Sequence, residues 1–372
     1  MRIGFDAKRL FNNFTGLGNH SRTTVDILTE FYPENEYLLY TPKIKLNDIT
    51  EQYLSRDYCR TIQPHGVLRG SVWRTLGLAS AARKDGIEIF HGLSNELPTG
   101  LKIPSVVTIH DVAFRTFPDM YHAIDRFTYN LKWRQACRKA DRIIAISQST
   151  KRDIIRFYNV DPDRIDVVYQ PVNSLYYTGN EGVCPESLAP YVKGKPYMLY
   201  VGSINSRKNL LGIVKAMELL PKDLQIPLVV VGDGREYKQK VLEYIAAHGL
   251  QDMIIFTPEK VFTLGLRYLY LNARLFVYPS YYEGFGLPVV EALLSNCPVI
   301  TSNISSLPEA AGPDSLLVVP DDSADISAKM EAALTDDTLR NTMVSKGYRY
   351  ATEQFSPKVL AKQLMDVYRQ LQ

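Results

Sequence analysis

The chain has 372 residues, of which 45% are hydrophobic and 22% are charged, and Lys plus Arg exceed Asp plus Glu only by 43 to 40. This length predicts two domains, and the composition is that of a soluble globular protein. The small net charge argues against a nucleic-acid partner, and no run of about 18 apolar residues predicts a membrane span. The opening residues MRIGFDAKRL resemble a strand, so no signal peptide is expected.

Short apolar runs alternate with helical patterns through the first half of the chain. The runs that predict buried strands are residues 2–7, 36–42, 88–92, 105–111, 142–147 and 166–171. Segments with helical spacing lie between several of them, among them 126–140 and 148–158. This β-α-β order predicts a parallel, doubly wound sheet.

The same pattern repeats in the second half. The predicted strands are residues 197–203, 226–234, 252–258, 274–280, 297–303 and 315–321, and the helices between them include 209–220 and 235–250. Residues 172–196 lack periodicity and contain Pro and Gly, which is typical of a linker. The sequence therefore predicts an α/β protein with two Rossmann-like, doubly wound domains, 1–171 and 172–356. We expect the two to face a cleft at the carboxyl ends of their strands.

The stretch YPSYYEGFGLPVVEALL, residues 278–294, has a strand, a loop and the start of a helix in that order. Gly284 and Gly286 allow the backbone to approach a ligand closely, and Pro288 suits the first turn of a helix. The amides of Phe285, Gly286 and Leu287, at the positive end of the helix dipole, predict a site for an anion or for hydroxyl oxygens.

Two carboxylates flank this loop. Glu283 lies in the loop, and Glu291 lies about one turn into the helix, where it can accept two hydrogen bonds from vicinal hydroxyls. Carboxylates for hydroxyls and amides for phosphate together indicate a nucleotide sugar. An acidic first turn that stabilises its own helix would also explain Glu291, but not Glu283 beside two glycines.

This stretch resembles the E-x7-E motif of retaining glycosyltransferases with the GT-B fold, in the large family 4 (glycosyl transferases group 1), and the resemblance covers essentially the whole chain. It implies that Glu291 binds the ribose hydroxyls of the donor and that Glu283 contacts the donor sugar. It implies that the backbone of residues 285–287 contacts sugar hydroxyls and the distal phosphate. It also implies that the second domain binds the nucleotide sugar, and that the last helix, 357–372, packs back on the first, acceptor-side domain.

Two cations follow the first strand of the second half, in YVGSINSRKNL (200–210). Arg207 and Lys208 lie beyond Gly202 and Ser203 at a predicted helix start, where they can neutralise a diphosphate. The segment is similar to the family's G-x-x-x-x-R-K-N, in which both cations hold the donor diphosphate. An exposed basic helix start is the alternative, although cations there oppose the helix dipole unless an anion binds.

Polar residues also end two strands of the first half. His110 and Asp111 resemble the family's cleft histidine segment, which implies a contact between His110 and the donor sugar, although a lone histidine is as readily structural. His91 and Asn95 end another strand and are predicted to lie on the acceptor side.

Three glycines follow strands in a similar way. Gly16 and Gly18 resemble the family's T-G-x-G loop, which borders the acceptor pocket and the diphosphate; the dinucleotide pattern G-x-G-x-x-G is broken at Ser21. Gly232 is predicted to border the nucleobase, or to be an ordinary strand–helix turn. Residues 305–312 resemble a loop that supports the donor site.

The function expected from this resemblance is retaining transfer of a hexosyl unit, mannosyl by similarity to that branch, from a GDP- or UDP-linked sugar to a saccharide or lipid-linked saccharide. The catalytic group comprises Glu283, His110, Arg207 and Lys208. No D-x-D motif presents paired acids in the ligand-binding loops assigned above, so no metal or further cofactor is expected. A nucleotide-sugar epimerase and a non-catalytic sugar-nucleotide binding module remain as alternatives.

The cellular location is predicted from two observations. The four cysteines, Cys59, Cys137, Cys184 and Cys297, have no metal-ligand spacing and indicate reduced thiols in the cytoplasm. Basic residues cluster in 132–142 and 149–153. They could contact the inner face of an anionic membrane, or form a solvated helix face.

Overall fold

The computed structural model describes residues 1–56, 58–64, 70–179, 181–257 and 261–372, with only the backbone of Ser71. The chain forms two compact units. The first comprises Met1–Asn173 and Phe355–Gln372, and the second comprises Ser174–Gln354. The division lies two residues beyond the predicted boundary at 171. Residue 180 of the predicted linker and residue 258 of a predicted strand lie outside the described residues.

Each unit contains one parallel sheet, with seven strands in the first unit and six in the second among the described residues. The order is β3-β2-β1-β4-β5-β6-β7 in the first sheet and β10-β9-β8-β11-β12-β13 in the second. The strands are β1 (Arg2–Asp6), β2 (Glu36–Tyr40), β3 (Cys59–Ile62), β4 (Ile89–Gly92), β5 (Ser105–Ile109), β6 (Arg142–Ala145), β7 (Ile165–Val167), β8 (Met198–Val201), β9 (Leu228–Val231), β10 (Ile254–Phe256), β11 (Leu275–Tyr278), β12 (Val299–Ser302) and β13 (Leu316–Val318).

Helices connect the strands in both units. The α-helices are α1 (Lys8–Asn12), α2 (Gly16–Phe31), α3 (Asp48–Glu51), α4 (Gly70–Val72), α5 (Leu78–Lys84), α6 (Ala113–Thr116), α7 (Ala123–Lys139), α8 (Gln148–Tyr158), α9 (Ala189–Val192), α10 (Leu210–Leu219), α11 (Glu236–Ala247), α12 (Thr263–Asn272), α13 (Leu287–Leu294), α14 (Leu307–Ala311), α15 (Ser323–Thr335), α16 (Asp337–Gln354) and α17 (Pro357–Arg369). A π-helical segment spans Trp73–Gly77, and a 3₁₀ turn spans Ser206–Lys208. None of the helices in the described ranges combines the length and apolar character needed to cross a membrane.

The predicted α/β fold with two doubly wound parallel sheets is confirmed. Each apolar run predicted as a strand overlaps a strand of the structure, because strands covered by helices on both faces are continuously hydrophobic. In β2, for example, residues 37–40 are all buried. The edge strand β3 was not predicted. Its sequence, CRTI, buries only Cys59 and so has no apolar run.

The last helix, α17, belongs to the first unit and packs against α2. The Tyr368 hydroxyl shares a hydrogen bond of 2.7 Å with Nδ1 of His91 at the end of β4. Before the helix, the buried ring of Phe355 meets Tyr169 edge-on, with 5.2 Å between the ring centroids. The first unit is thus built from both ends of the chain.

Candidate active site

All strands of the second sheet are parallel, but the direction in which successive strands are added reverses between β8 and β11. These strands are neighbours, but β8 continues along the chain to β9 on one side and β11 to β12 on the other. In open parallel sheets ligands bind where the connections diverge in this way, outside the carboxyl ends of the strands. The loops after β8 and β11 are joined there, because Tyr281 N–H donates to the Arg207 carbonyl at 2.8 Å and Ser280 Oγ lies 3.0 Å from the same carbonyl.

Glu283 lies in the loop after β11 and is only 9% exposed. Its Oε1 accepts hydrogen bonds from Ser280 Oγ at 2.8 Å, from the Tyr278 hydroxyl at 3.0 Å and from Lys208 Nζ. Its Oε2 is 3.2 Å from the Arg207 guanidinium. Burial alone would raise the pKa of Glu283, but the charges of Lys208 and Arg207 outweigh it and lower that pKa to about 2. The carboxylate is therefore ionised and fixed in one orientation.

Serine side chains from the loop after β12 hold the backbone around Glu283. The Ser305 hydroxyl accepts from Glu283 N–H at 2.9 Å and lies 2.7 Å from the Glu283 carbonyl. Ser306 Oγ lies 2.9 Å from the Glu283 carbonyl and 2.7 Å from the Phe285 carbonyl, within reach of its one hydrogen for either. These residues belong to the predicted supporting segment 305–312, although the sequence did not single out the two serines.

Arg207 and Lys208 lie in the 3₁₀ turn before α10, and not in the helix itself. Lys208 is buried; its Nζ donates to the Tyr278 hydroxyl as well as to Glu283, and lies 5.0 Å from the centre of the Tyr278 ring. Arg207 is partly exposed and donates to the Tyr282 carbonyl. From the sequence, the two cations were expected to oppose the helix dipole unless an anion binds. In the structure Glu283 supplies that negative charge, so Lys208 holds the carboxylate.

Helix α13 begins directly after the loop. Gly286 stands before its first residue with φ of 117°, a conformation that favours glycine, and an added Cβ there would lie 3.1 Å from the Leu307 side chain. The Phe285 side chain is buried, so this residue offers only its backbone to a ligand. Leu287 and Pro288 form the first turn, as predicted from the position of the proline.

Glu291 lies on α13 and is half-buried. Its Oε2 accepts a hydrogen bond from the Tyr270 hydroxyl at 3.2 Å. Burial raises the pKa of Glu291 to about 7, against the weaker opposing effect of the Tyr270 hydrogen bond. Two carboxyl groups eight positions apart in sequence therefore have pKa values displaced in opposite directions, which is common where their tasks differ.

The predicted donor glycines lie at the ends of β8 and β9. Gly202 and Gly232 have φ of 156° and 150°, and a Cβ on Gly232 would lie 1.9 Å from the Gly202 carbonyl oxygen. Close backbone approach thus requires a glycine at 232. Ser203 is exposed, and its hydroxyl accepts from the Asn205 amide at 3.0 Å. Contact of these residues with a donor stays a prediction.

In the first unit, His110 follows β5 and is buried. Its Nε2 lies 2.9 Å from the Leu93 carbonyl and its Nδ1 lies 2.9 Å from the Gln170 side-chain amide. The carbonyl requires a donor and the amide nitrogen an acceptor, so the proton is on Nε2. Burial lowers the pKa of His110 and keeps the ring neutral. Its predicted contact with a donor sugar stays a prediction.

His91 and Asn95, predicted to lie on the acceptor side, are both buried in the first unit. His91 is fully buried, and its ring nitrogens are bonded to Tyr368 and to Thr108 Oγ1, the latter at 2.8 Å. Asn95 is buried with φ of 59°, and its Oδ1 accepts from His110 N–H at 2.8 Å. Both side chains therefore support the fold, and their predicted place on the acceptor side stays a prediction. Asp111 Oδ1 accepts from Ala113 N–H at 3.0 Å at the start of α6.

Gly16 and Gly18 begin α2. Gly16 is exposed and has space around it, whereas a Cβ on Gly18 would lie 1.7 Å from the Asn13 carbonyl oxygen. Further along the same helix, the buried ring of His20 meets the His110 ring edge-on, with centroids 4.5 Å apart. His20 was not predicted as a candidate from the sequence, where its signal was its place on the helix that begins with the two glycines.

The chain resembles known proteins along most of its length. Residues 22–174 match the family described as Glycosyltransferase Family 4, and residues 189–350 match the one described as Glycosyl transferases group 1. The chain is 35% identical to O-antigen chain mannosyltransferase B of Escherichia coli over 291 residues. The matched region covers 76% of this chain and 74% of that protein. The chain belongs to glycosyltransferase family 4.

A further relative and two solved structures are also similar to this chain. O-antigen chain mannosyltransferase RfbU of Salmonella typhimurium is 28% identical over 58% of this chain and 57% of its own length. Sucrose-phosphate synthase of Thermosynechococcus elongatus has a TM-score of 0.77 at 20% identity, covering 100% of this chain and 99% of its own. Anabaena HepE in complex with UDP and glucose has a TM-score of 0.74 at 16% identity, with full coverage of both chains. The fold is GT-B, as predicted.

The protein is therefore a glycosyltransferase of class EC 2.4.1. This excludes the two alternatives, a nucleotide-sugar epimerase and a non-catalytic binding module. Its structure brings Arg207, Lys208 and Glu283 together within the second unit. His110 and Asn95 meet in the first unit. Across the described ranges, no group of three His, Cys, Asp or Glu side chains is placed to hold a metal ion.

A further buried ion-pair network at the first sheet was missed from the sequence. Arg74, in the π-helical segment, donates to Asp6 at 2.6 Å and pairs with Glu96, which also lies 3.3 Å from Lys132. Asp6 ends β1 and Glu96 follows β4. The network therefore connects the loops after these two strands, between which the strand order of the first sheet reverses. Asp6 at the end of a buried strand was the available signal.

Proposed function

We propose that this glycosyltransferase transfers a mannosyl unit from GDP-mannose to a hydroxyl of a saccharide or lipid-linked saccharide, with retention of anomeric configuration. The proposal of mannose is supported by the relatives, since O-antigen chain mannosyltransferase B and RfbU are both named for mannosyl transfer. A lipid-linked acceptor would place the enzyme at the inner face of a membrane.

The observation that carries the proposal is the ionised, buried Glu283 beside Arg207, at the point where the strand order of the second sheet reverses. A fixed carboxylate there suits the hydroxyls of a bound sugar, and the Arg207 guanidinium suits a diphosphate. Half-buried Glu291 suits the vicinal hydroxyls of the ribose. In this proposal Lys208 acts through Glu283, because its ammonium group is bonded to that carboxylate.

Retention is proposed because neither candidate base suits an inverting reaction. An inverting transferase needs a base near neutrality aimed at the acceptor hydroxyl. A carboxylate with a pKa of about 2 is too weak a base, and both ring nitrogens of His110 are engaged within the first unit. We propose attack from the face of the leaving group. The bond from the anomeric carbon to the phosphate oxygen breaks, the bond to the acceptor oxygen forms, and the acceptor proton passes to the departing phosphate, whose charge Arg207 stabilises.

The test is transfer by the purified full chain, with a mannose-terminated saccharide as acceptor and GDP-mannose, UDP-glucose and UDP-N-acetylglucosamine as alternative donors. We expect GDP release and glycoside formation with GDP-mannose, and a product whose first proton NMR spectrum has the donor's anomeric configuration. An inverted anomeric signal would overturn the mechanism. Transfer from a UDP-sugar alone would overturn the donor assignment. Glu283→Gln serves as the low-turnover control.

A further inference from the structure

Helix α7 of the first unit is apolar on two opposite faces. On one face Ala136 and Cys137 are buried in the core of the first unit, and Trp133 packs against that core. On the opposite face Ile124, Phe127 and Leu131 are 80%, 73% and 57% exposed. These three are spaced by three and four residues, so they form one continuous stripe. A helix on the surface of a globular protein ordinarily carries charged and polar residues on that face.

Basic side chains follow the apolar ones on the same face of α7. Arg134 and Arg138 follow Leu131 by three and seven residues, and both are exposed. The stripe is thus apolar in the first turns of α7 and cationic in the last. Lys139 is also exposed, and Asp125 is the acidic residue of this helix. A solvated helix face, the alternative left open by the basic segment 132–142, does not explain three large exposed apolar side chains in a row.

An open cavity of about 290 Å³ lies beside the apolar end of the stripe. Its walls include Phe114, Arg115, Phe127 and Phe157. The guanidinium groups of Arg115 and Arg156 both lie 5.2 Å from the centre of the Phe157 ring. Aromatic surface and cations therefore continue from α7 into the adjoining groove.

We propose that the α7 face, defined as Ile124, Phe127, Leu131, Arg134 and Arg138, docks the first unit on an anionic lipid bilayer. The apolar residues enter the boundary between headgroups and acyl chains, and the arginines bind the lipid phosphates. This combination of a large apolar face with cations is what holds interfacial helices at negatively charged membranes. The inference depends on neither the donor nor the stereochemistry proposed above.

Charge favours a bilayer over a second copy of the chain as the occupant. The core of a protein–protein interface is depleted in charged residues. A symmetric dimer through the α7 face would bury Arg134 and Arg138, and Asp125 is the one acid that α7 could offer them. A phosphate surface instead meets both arginines with opposite charge along the whole stripe.

The experiment is co-sedimentation of the full chain with vesicles of phosphatidylcholine alone and of phosphatidylcholine with phosphatidylglycerol. Two double variants are compared with the natural chain, Phe127→Ser with Leu131→Ser and Arg134→Glu with Arg138→Glu. The matched control is Leu219→Ser with Leu242→Ser, which removes exposed apolar residues from helices of the second unit. Circular dichroism and thermal unfolding establish that each variant is folded.

We expect the natural chain and the control to bind the anionic vesicles, and each α7 variant to bind at least tenfold more weakly. Raised salt should weaken binding, because the arginine contacts are screened. Transfer to a short soluble acceptor should be unchanged in the α7 variants. Equal binding to both vesicle types, unaltered binding by both variants, or no vesicle binding would overturn the proposal. So would light scattering that shows a dimer dissociating when Phe127 and Leu131 are replaced.

Discussion

Lys208 and Glu283 are 75 residues apart in sequence, yet their side chains form a buried ion pair that also includes the Tyr278 hydroxyl. The pair joins the loop after β8 to the loop after β11. It fixes one oxygen of the carboxylate and leaves the other facing Arg207. The orientation of the Glu283 carboxylate therefore depends on Lys208, which lies in a different loop.

Replacing Lys208 with Met should destabilise the protein. The change leaves a buried carboxylate with Arg207 as its remaining cation, and breaking a buried pair from one side costs on the order of 3 kcal/mol. Urea unfolding measures this loss. The double variant Lys208→Met with Glu283→Gln should recover most of it, because the uncompensated charge is gone. Additive losses in the double variant would contradict a coupled pair.

The two glutamates should give stability opposite dependences on pH. The folded pKa of Glu291, about 7, lies above its ordinary 4.5, so the folded state binds this proton more tightly than the unfolded chain does. Its contribution is fully present below pH 4.5 and is lost as the pH rises through 7. For Glu283, with a pKa of about 2, the contribution is present above pH 4.5 and is lost as the pH falls towards 2.

Thermal unfolding between pH 2 and 8 measures both effects. Glu291→Gln should flatten the decline between pH 4.5 and 7, and Glu283→Gln should flatten the decline below pH 4.5. Each variant serves as the control for the other. Identical pH profiles for the two variants would show that the environments of the two carboxyl groups do not differ in this way.

The same glutamates should affect different kinetic constants. Glu291→Ala should weaken donor binding by roughly 10- to 150-fold, the equivalent of about 1.5–3 kcal/mol for hydrogen bonds to a charged group, with a smaller change in kcat. Glu283→Ala should lower kcat by on the order of 100-fold with a smaller change in affinity. Calorimetry with GDP-mannose and steady-state kinetics separate the two. A donor affinity that is independent of pH in the natural chain would count against Glu291 as the titrating ligand.

Tyr368→Phe should loosen the C-terminal helix. The change leaves Nδ1 of the fully buried His91 without its hydrogen-bond partner, which costs about 1–3 kcal/mol. Thermal unfolding measures the loss, and Tyr348→Phe, at an exposed position, is the matched control. Equal melting temperatures for the two variants would mean that the His91–Tyr368 contact contributes nothing to stability.

The positions of the strands along the chain could be predicted because they depend on local pattern, and the same pattern placed the candidate site residues after strands. Continuous apolar runs mark strands buried on both faces, and Glu283, Glu291 and Arg207 follow such runs. The edge strand β3 has no such run, so it was missed. In a parallel α/β fold the loops after neighbouring strands lie at the same edge of the sheet. The polar motifs that follow β8 and β11 therefore lie side by side in the second unit.

What the sequence could not give are relationships between distant segments. The partner of Lys208 and the opposite pKa displacements of Glu283 and Glu291 depend on burial in the folded unit. His91 ends a strand, and the sequence did not show that a partner of its ring comes from the last turns of the chain. The left-handed backbone conformation of Asn95 is likewise visible only in the fold.

The first unit comprises residues 1–173 and 355–372, with the whole second unit between them. A ribosome therefore releases the first sheet long before it releases Tyr368, the partner of His91. The second unit is continuous, so all its strands emerge without interruption. During synthesis the His91 ring gains its hydrogen-bond partner only when the last helix has been made. The unit whose synthesis begins first is therefore the one completed last.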